Sequence, residues 1–291
     1  MKPPCDLSIE ILSQLMVKRA GHPLSEDRLY RLESALSPVL RANGFDSIDS
    51  LVVAMVSRSD ERFEIEIVEA LLNNETYFFR DRAPFDLLST WLHDRVAAGK
   101  PSNRLSIWCA GVSTGQEAYS LAMMLEDNPG QWQGWQTSIL GTDVSAQAIN
   151  RAREGLYTQF EVQRGLPTLS LVKHFEKSGN DWRISSRIRQ RVRFLRQDIT
   201  RHIAPVYPPH DVILCRNMLL YLPADIRRLV FSRLRAALAP DGILVLGAAE
   251  TVVGQTDEFE SHPQYRGFYR PKALARPDAA LNRGASLAGL K

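Results

Sequence analysis

The segment at residues 105–120, LSIWCAGVSTGQEAYS, constrains the fold of this chain more than any other part of its sequence. An apolar run ends in small residues and an amphipathic run follows, which is the pattern of a buried strand, a tight turn and a helix. Gly111 and Gly115 allow the backbone to turn sharply and to approach a ligand closely. A helix that starts there presents free N–H groups and a positive dipole end to that ligand. The segment therefore predicts a binding site at a strand–turn–helix junction.

A second strand-like run, at residues 138–143, ends in Asp143. In a Rossmann-type sheet, an acid at this place binds the hydroxyl groups of a ribose. The alternative for Asp143 is the N-cap of the helix that follows. Together the two runs predict a cofactor that contains a nucleoside.

The chain divides into two parts by its hydrophobic pattern. Residues 6–72 carry only helical patterns, which predicts an N-terminal helical domain over residues 1–75. Strand patterns then alternate with helical ones, which predicts an α/β domain with a mostly parallel sheet over residues 76–275. Short alternating runs within residues 160–196 predict a small inserted antiparallel sheet. Residues 276–291 are rich in Ala, Pro, Gly and Arg and are predicted to be a disordered tail.

The composition narrows the class of protein. The 36 basic and 33 acidic residues give a net charge of +3, which is too close to zero to indicate nucleic-acid binding. No apolar stretch is long enough to span a bilayer, and the N-terminus lacks the apolar core of a secretory signal. Cys5, Cys109 and Cys215 are few and lack CxxC spacing, which favours a reducing cytoplasm and no structural zinc. We therefore expect a cytoplasmic protein without a metal centre, a membrane segment or a nucleic-acid partner.

A competing interpretation arises from the same turn. Residues 111–115, GVSTG, match the GxSxG nucleophile elbow of serine hydrolases, with Ser113 as the nucleophile. A hydrolase also needs a later acid and a histidine, and among the six histidines only His262 lies in a suitable place. The hydrolase interpretation leaves Asp143 without a role, so cofactor binding is favoured.

Four arginines alternate with other residues near the end of the predicted insert. If residues 187–194 form a strand, the four share one face; they are Arg187, Arg189, Arg191 and Arg193. Two interpretations stay open. The charges protect an edge strand from aggregation, or they form a docking surface for an acidic partner or for phosphates.

Several motifs resemble those of the CheR-type chemotaxis methyltransferase family. They are NETYFFRD at residues 74–81, CAGVSTGQEAYS at 109–120, GTDVS at 141–145, CRNMLLY at 215–221, and GILVLG at 242–247 with Glu250. The resemblance covers about residues 12–270. It implies a Rossmann-like α/β fold that binds S-adenosylmethionine, with an N-terminal helical domain and an inserted antiparallel β subdomain. It also implies methyl-esterification of glutamate side chains of chemoreceptors.

The resemblance further implies which residues form the cofactor site. They are Asn74, Thr76, Arg80, Gly111, Glu117, Asp143, Asp198, Ile199, Asn217 and Met218. Arg80 is expected to pair with the cofactor carboxylate. Glu117 is expected to bind the cofactor ammonium group, since an acid at this turn would repel a pyrophosphate. The alternative for Glu117 is a first-turn acid that complements the helix dipole, and for Asn74 a turn or helix-cap residue.

Two further residues are implied near the reacting groups. Arg216 is expected to orient the substrate carboxylate and Tyr221 to line the same mouth, with a structural role as the alternative for both. A glutamate carboxylate is already ionised at neutral pH, because its reference pKa is about 4.3. No general base is therefore expected.

The expected partner is the cytoplasmic helical region of a chemoreceptor, steered by Arg58 and Arg62 together with the four-arginine face. The turn at residues 178–181, SGND, is short and not glycine-rich, which predicts a member that does not need a receptor's C-terminal pentapeptide. Two alternatives remain. One is a nucleic-acid methyltransferase of the same fold, and the other is a non-catalytic receptor adaptor.

Overall fold

The computed structural model describes residues 3–24, 26–99, 103–201 and 209–272. The predicted disordered tail at residues 276–291 lies outside this range. The first part of the chain forms four α-helices within the described residues: α1 (Asp6–Ala20), α2 (Leu32–Asn43), α3 (Ile48–Arg58) and α4 (Glu61–Leu71). Their apolar stripes meet in one core, in which Leu12, Leu36, Leu51 and Ile67 are fully buried. The boundary of this helical part at residue 75 stays a prediction.

A seven-stranded sheet forms the centre of the second part. Its strands are β1 (Arg104–Ala110), β2 (Gln136–Asp143), β6 (Val192–Arg196), β7 (His210–Cys215), β8 (Leu238–Leu246), β9 (Phe259–Ser261) and β10 (Phe268–Pro271). The order is β6-β2-β1-β7-β8-β10-β9, and every pair is parallel except those that β10 makes with β8 and β9. The strand order reverses direction at β1, between β2 and β7. In such sheets ligands bind outside the carboxyl ends of the strands at this switch point.

Helices connect these strands and cover both faces of the sheet. They are α5 (Ala83–Ala97), α6 (Gln116–Asp127), α7 (Ala146–Glu154) and α11 (Ala224–Ala237). The buried strands are continuous apolar runs because both faces are covered, as in β7, where every residue is buried. The predicted Rossmann-like α/β fold is confirmed.

The inserted sheet is present, with boundaries that differ from the prediction. Its strands are β3 (Leu156–Tyr157), β4 (Phe175–Ser178) and β5 (Asp181–Ile184), paired antiparallel in the order β3-β5-β4. Three short helices accompany it: α8 (Gln159–Gln163), α9 (Thr168–His174) and α10 (Ser186–Arg189). The first strand of the insert, β3, thus lies before residue 160, and part of the predicted range is helical.

The predicted strand at residues 187–194 is wrong. Its first part is α10, which buries Ile188 completely, and its last part belongs to β6, which pairs with β2 in the main sheet. Phe194 lies so close over Gly141 that a Cβ there would be 2.8 Å from the ring. The alternation of arginine with other residues at every second position therefore spans two different elements. Each element buries its own apolar residue, Ile188 in α10 and Phe194 in β6.

The four-arginine face is wrong for the same reason. Arg187 and Arg191 both pair with the buried Glu126 of α6, and Arg189 donates to the carbonyl of Glu154 at 3.2 Å. Arg193 lies exposed on β6. Three of these side chains therefore hold the insert against the main domain and do not form one common surface.

Candidate functional site

A cavity lies where β1, β2 and β7 end, and the residues that follow α4 close its other side. It contains about 1000 Å³ of space, counting its open mouth. Every residue predicted for the cofactor site and the reacting groups lines it: Asn74, Thr76, Arg80, Gly111, Glu117, Asp143, Asp198, Ile199, Arg216, Asn217, Met218 and Tyr221. The structure thus brings together motifs that are spread over about half of the chain.

The turn after β1 requires small residues. Gly111 and Gly115 have φ of +74° and +95°, which side chains rarely adopt. A Cβ at Gly111 would lie 3.1 Å from Met218 Sδ, and one at Gly115 would lie 2.9 Å from Ala152 Cβ. The bare backbone of Gly111 faces the cavity, which suits close approach of a ligand.

Ser113, the nucleophile of the hydrolase interpretation, has another task in this turn. Its hydroxyl donates to the carbonyl of Asn74 at 2.8 Å, so it joins the turn to the opposite wall of the cavity. Its backbone N–H donates to Asp143 Oδ2 at 2.8 Å. Both contacts shape the cavity, and neither activates the hydroxyl for attack.

One end of the cavity contains a buried ion-pair network. Glu117 lies in the first turn of α6, and its Oε2 accepts a hydrogen bond from Arg216 Nη1 at 3.0 Å. Arg216 Nη2 donates to Asp81 Oδ2 at 3.0 Å and to the carbonyl of Arg80 at 2.9 Å. Burial raises the pKa of Glu117, while the guanidinium groups of Arg216 and Arg80 act in the opposite direction. This end therefore contains two acids, Glu117 and Asp81, and two cations, Arg216 and Arg80.

Arg80 is placed by the segment that follows α4. Its Nη1 donates to the carbonyl of Glu75 at 2.8 Å, and its guanidinium lies over the Tyr77 ring at 5.6 Å. Arg164, at the end of α8, contacts the same segment. Its guanidinium lies 4.3 Å from the centroid of the Tyr77 ring, and its Nη2 lies 2.7 Å from Glu75 Oε1. The insert therefore contacts the same segment that carries Arg80.

The other end of the cavity contains Asp143. Its Oδ2 accepts from the N–H of Ser113 at 2.8 Å, and its Oδ1 accepts from the N–H of Ser145 at 2.9 Å. Burial raises the pKa of Asp143, and the two N–H donors oppose that shift. Ile199 is buried beside it and supplies an apolar surface. Asp198 is used locally, because its Oδ1 accepts from the N–H and the hydroxyl of Thr200.

Two acids that support the walls were missed as functional residues. Glu250 Oε1 accepts from the N–H of Leu219 at 2.7 Å, and its Oε2 accepts from the N–H groups of Asn217 and Gly247 at 2.7 and 2.8 Å. These bonds hold the loop after β7, in which Asn217 has φ of +58°. In the sequence, Glu250 stands out only as part of a motif, which does not indicate that it binds these N–H groups.

The second missed acid is Glu69, which α4 places against the main domain. Glu69 is 7% exposed, and it accepts from the Ser145 hydroxyl and from the N–H of Ala146 at 2.7 Å. It therefore caps the N-terminus of α7, directly after Asp143. An acid inside an otherwise apolar helix face is the sequence signal that could have pointed to this contact.

The helical part also closes the cavity at its rim. Asn73 Nδ2 donates to the Tyr221 hydroxyl at 3.2 Å, which joins the segment after α4 to the loop after β7. The end of α1 lies against Thr200, where a Cβ at Gly21 would come within 2.2 Å of the threonine hydroxyl oxygen. Ala20 and His22 consequently line the cavity, although no sequence pattern indicated them.

Within the ranges that the structure describes, no cluster of acidic, histidine and cysteine side chains could hold a metal ion. A search of the same residues finds no helix with the length and hydropathy needed to cross a membrane.

The sheet order, the glycine turn after β1 and the acid at the end of β2 define the class of fold as Rossmann-like, with a site that suits a ligand containing a nucleoside. The model of the family described as "CheR methyltransferase, SAM binding domain" matches residues 74–268. This chain belongs to that family. The chain is 32% identical over 251 residues to a chemotaxis protein methyltransferase of Vibrio anguillarum, covering 85% of this chain and 90% of the relative. It is 30% identical over 256 residues to chemotaxis protein methyltransferase 1 of Pseudomonas aeruginosa, covering 86% and 92%.

Proposed function

We propose that this protein transfers a methyl group from S-adenosylmethionine to glutamate side chains of chemoreceptors. The observation that carries the proposal is that Glu117 and Arg80 line one end of the cavity and Asp143 lines the other. This donor set fits a ligand with an amino-acid end and a ribose. The names of the relatives, which are chemotaxis protein methyltransferases, support a chemoreceptor as the methyl acceptor.

In this proposal each wall of the cavity binds one part of the cofactor. Glu117 accepts from its ammonium group, and Arg80 pairs with its carboxylate. Asp143 accepts hydrogen bonds from the ribose hydroxyls. Ile199 and Asp198 flank the base, and Met218 and Asn217 lie near the sulfur. The cofactor supplies a methyl group made electrophilic by the sulfonium charge.

The acceptor needs little chemical activation. A glutamate carboxylate is ionised at neutral pH, because its reference pKa is about 4.3, so no residue has to remove a proton. The residues of the mouth, including Tyr221, orient the carboxylate in line with the methyl group and exclude water from it. Binding and orientation are therefore the main contributions of the protein.

The proposal includes that this protein methylates receptors without binding a C-terminal pentapeptide of the receptor. The β4–β5 hairpin turns at Gly179 and Asn180, with Ser178 paired to Asp181, so its loop is tight. A cytoplasmic site of action is also part of the proposal, supported by the three free thiols of Cys5, Cys109 and Cys215. The acceptor is an acidic helical segment, and metal ions and nucleic acid are not required.

A methyl-transfer assay tests the proposal. Purified protein is incubated with tritiated S-adenosylmethionine and cytoplasmic fragments of chemoreceptors from the same genome, and base-labile label is mapped to individual glutamates. We expect label on receptor glutamates, reduced at least tenfold in a Glu117→Gln variant. Label on RNA or DNA would favour the nucleic-acid methyltransferase, and binding of receptor without transfer would favour the adaptor. Either result would overturn the proposal.

A further inference from the structure

We propose that Arg216 is a positioning residue that holds Glu117 and the backbone of Arg80 in place for the amino-acid end of the cofactor, and that it does not contact the methyl acceptor. The inference rests on the proposed binding of S-adenosylmethionine in this cavity. It replaces the expectation that Arg216 orients the substrate carboxylate.

The first argument is that the Arg216 side chain is already engaged. It is 1% exposed, and its two terminal nitrogens donate to Glu117, to Asp81 and to the carbonyl of Arg80. Its guanidinium carbon lies 5.7 Å from the centroid of the Phe85 ring. Its third nitrogen, Nε, is shielded from solvent and has no hydrogen-bond partner in the protein. Although Arg216 lines the cavity, its two terminal nitrogens are therefore already bonded to groups of the protein and not turned toward a glutamate that enters from the mouth.

The second argument concerns the charge of Glu117. A carboxylate surrounded by protein takes up a proton unless a cation lies beside it, and a protonated acid is a poor partner for an ammonium group. Arg216 provides this cation at 3.0 Å. The other groups that favour the ionised form of Glu117 are Arg80, which acts through its charge, and the thiol of Cys109 in β1, which acts through a hydrogen bond. Arg216 is therefore the main support of the ionised form.

The third argument is that the same guanidinium reaches the second recognition element. Arg216 Nη2 donates hydrogen bonds to the carbonyl of Arg80 and to the Asp81 carboxylate, and both residues lie in the segment after α4. Asp81 has φ of +56°, so this segment turns sharply where Arg216 holds it. One buried side chain from the end of β7 thus links α6 to the segment that carries Arg80. Recognition of both the ammonium and the carboxylate group of the cofactor therefore depends on Arg216.

Ligand titrations separate this role from a merely structural one. The probes are S-adenosylhomocysteine, which has the amino-acid end, and 5′-methylthioadenosine, which lacks it. Isothermal titration is carried out between pH 6 and 8 with the wild type, Arg216→Met, Arg216→Lys and Glu117→Gln. The matched control is Arg95→Met, because Arg95 is another arginine in an ion pair, partly buried and 3.3 Å from Asp211, and it does not line the cavity.

We expect Arg216→Met to bind S-adenosylhomocysteine about 30-fold more weakly than the wild type at pH 7, and to regain part of that affinity toward pH 8 as Glu117 ionises. Its affinity for 5′-methylthioadenosine should stay within about twofold of the wild type. Arg216→Lys should restore part of the lost affinity, because it returns the charge without the second hydrogen bond. In the Glu117→Gln background, Arg216→Met should cost much less than in the wild type. Arg95→Met should leave both affinities unchanged.

Other outcomes overturn the inference. Equal losses of affinity for both probes in Arg216→Met, or in Arg216→Lys if Arg216→Met does not fold, would make Arg216 a structural residue. Unchanged binding of S-adenosylhomocysteine to Arg216→Met would show that Glu117 needs no support. These titrations use no methyl acceptor, so a failure of the proposed receptor substrate would leave them interpretable, whereas a wild type that binds neither probe would refute both proposals.

Discussion

Each end of the cavity contains a carboxylate, that of the buried Glu117 and that of the half-buried Asp143, and the protein supports the two acids by different means. Asp143 accepts from the backbone N–H groups of Ser113 and Ser145, while Glu117 accepts from the side chain of Arg216. Backbone donors remain when neighbouring side chains change, and a guanidinium does not. The nucleoside end should therefore be robust toward substitution of its neighbours, and the amino-acid end should depend on one residue.

The two ends also differ in which elements they join. Asp143 lies at the end of β2, and the acid that caps the adjacent helix α7 is Glu69 from the helical part of the chain. Glu117 lies in α6 and is joined through Arg216 to the segment after α4. Both ends thus contact residues outside the Rossmann-like sheet, so the helical part contributes to the cofactor site as well as to its mouth.

The largest expected effect belongs to the nucleoside end. Asp143→Ala removes hydrogen bonds from an ionised group to the ligand, each of which contributes roughly 1.5–3 kcal/mol, and it releases two N–H donors of the wall. We expect binding of S-adenosylhomocysteine and of 5′-methylthioadenosine to weaken by about 100-fold or more in calorimetric titrations. Asp127→Ala is the control, because Asp127 is also a hydrogen-bonded acid, with Lys173 and His174 as its partners, and it does not line the cavity. Equal affinities for Asp143→Ala and the wild type would remove Asp143 from the site.

A smaller and more selective effect is expected at the amino-acid end. Glu117→Gln keeps the shape of the side chain and removes its charge, so S-adenosylhomocysteine should bind about 10- to 30-fold more weakly. The affinity for 5′-methylthioadenosine should not change, because that ligand has no ammonium group. A matching loss for both ligands would show that the two ends are not independent.

The pH should affect the two probes differently. Burial raises the pKa of both Glu117 and Asp143 above their ordinary values of 4.5 and 3.8. Ligand binding favours the ionised acids, so affinity should fall as the pH is lowered from 7 toward 5. S-adenosylhomocysteine depends on both acids and should lose more affinity than 5′-methylthioadenosine, as measured by titration at each pH. A flat profile for both ligands would contradict the predicted pKa directions.

The stability of the ligand-free protein should respond in the opposite sense. An acid whose pKa is raised on folding binds more protons in the folded state, so its contribution favours folding at low pH and is lost as the pH rises through the raised pKa. The free energies of unfolding of the wild type and of Glu117→Gln, measured in urea, should therefore converge as the pH is lowered from 7 to 5. A gap that widens on acidification would contradict this sign.

The smallest effect is expected at the contact between the two parts of the chain. Glu69→Gln replaces a charged cap of α7 by a neutral one, which should lower the free energy of unfolding by about 1–2 kcal/mol. Glu66→Gln is the matched control, since Glu66 lies on the same helix α4 with only a 3.4 Å contact to Asn43. Urea unfolding of both variants checks the difference. Equal stability of Glu69→Gln and Glu66→Gln would show that the cap contributes nothing measurable.

The parts of the fold that the sequence predicts well are those with strong local patterns. The strand–turn–helix at Gly111 and Gly115 and the acid at Asp143 are specified by residues that are neighbours in sequence. The insert is different, because its elements are only two to seven residues long and their pairing depends on distant contacts. Ile188 and Phe194 have the even spacing of residues on one face of a strand. In the structure, however, Ile188 packs into the core from a helix and Phe194 packs into it from the main sheet.

The candidate site was predicted through motifs rather than through geometry. The motifs identify the lining residues, but they do not show which acid pairs with which donor. The tasks of Glu250 and Glu69 depend on backbone N–H groups 30 or more residues away, such as that of Leu219 for Glu250. No local pattern encodes such a contact, so only the folded chain reveals it.

A crystal structure of the protein with S-adenosylhomocysteine tests the difference between the two ends most directly. We predict that the Asp143 carboxylate lies within hydrogen-bond distance of the ribose hydroxyls and that Glu117 lies within hydrogen-bond distance of the ammonium group, with Arg216 still bonded to Glu117. A ligand bound in the reverse direction or outside this cavity, or an Arg216 side chain turned away from Glu117 toward the mouth, would contradict it.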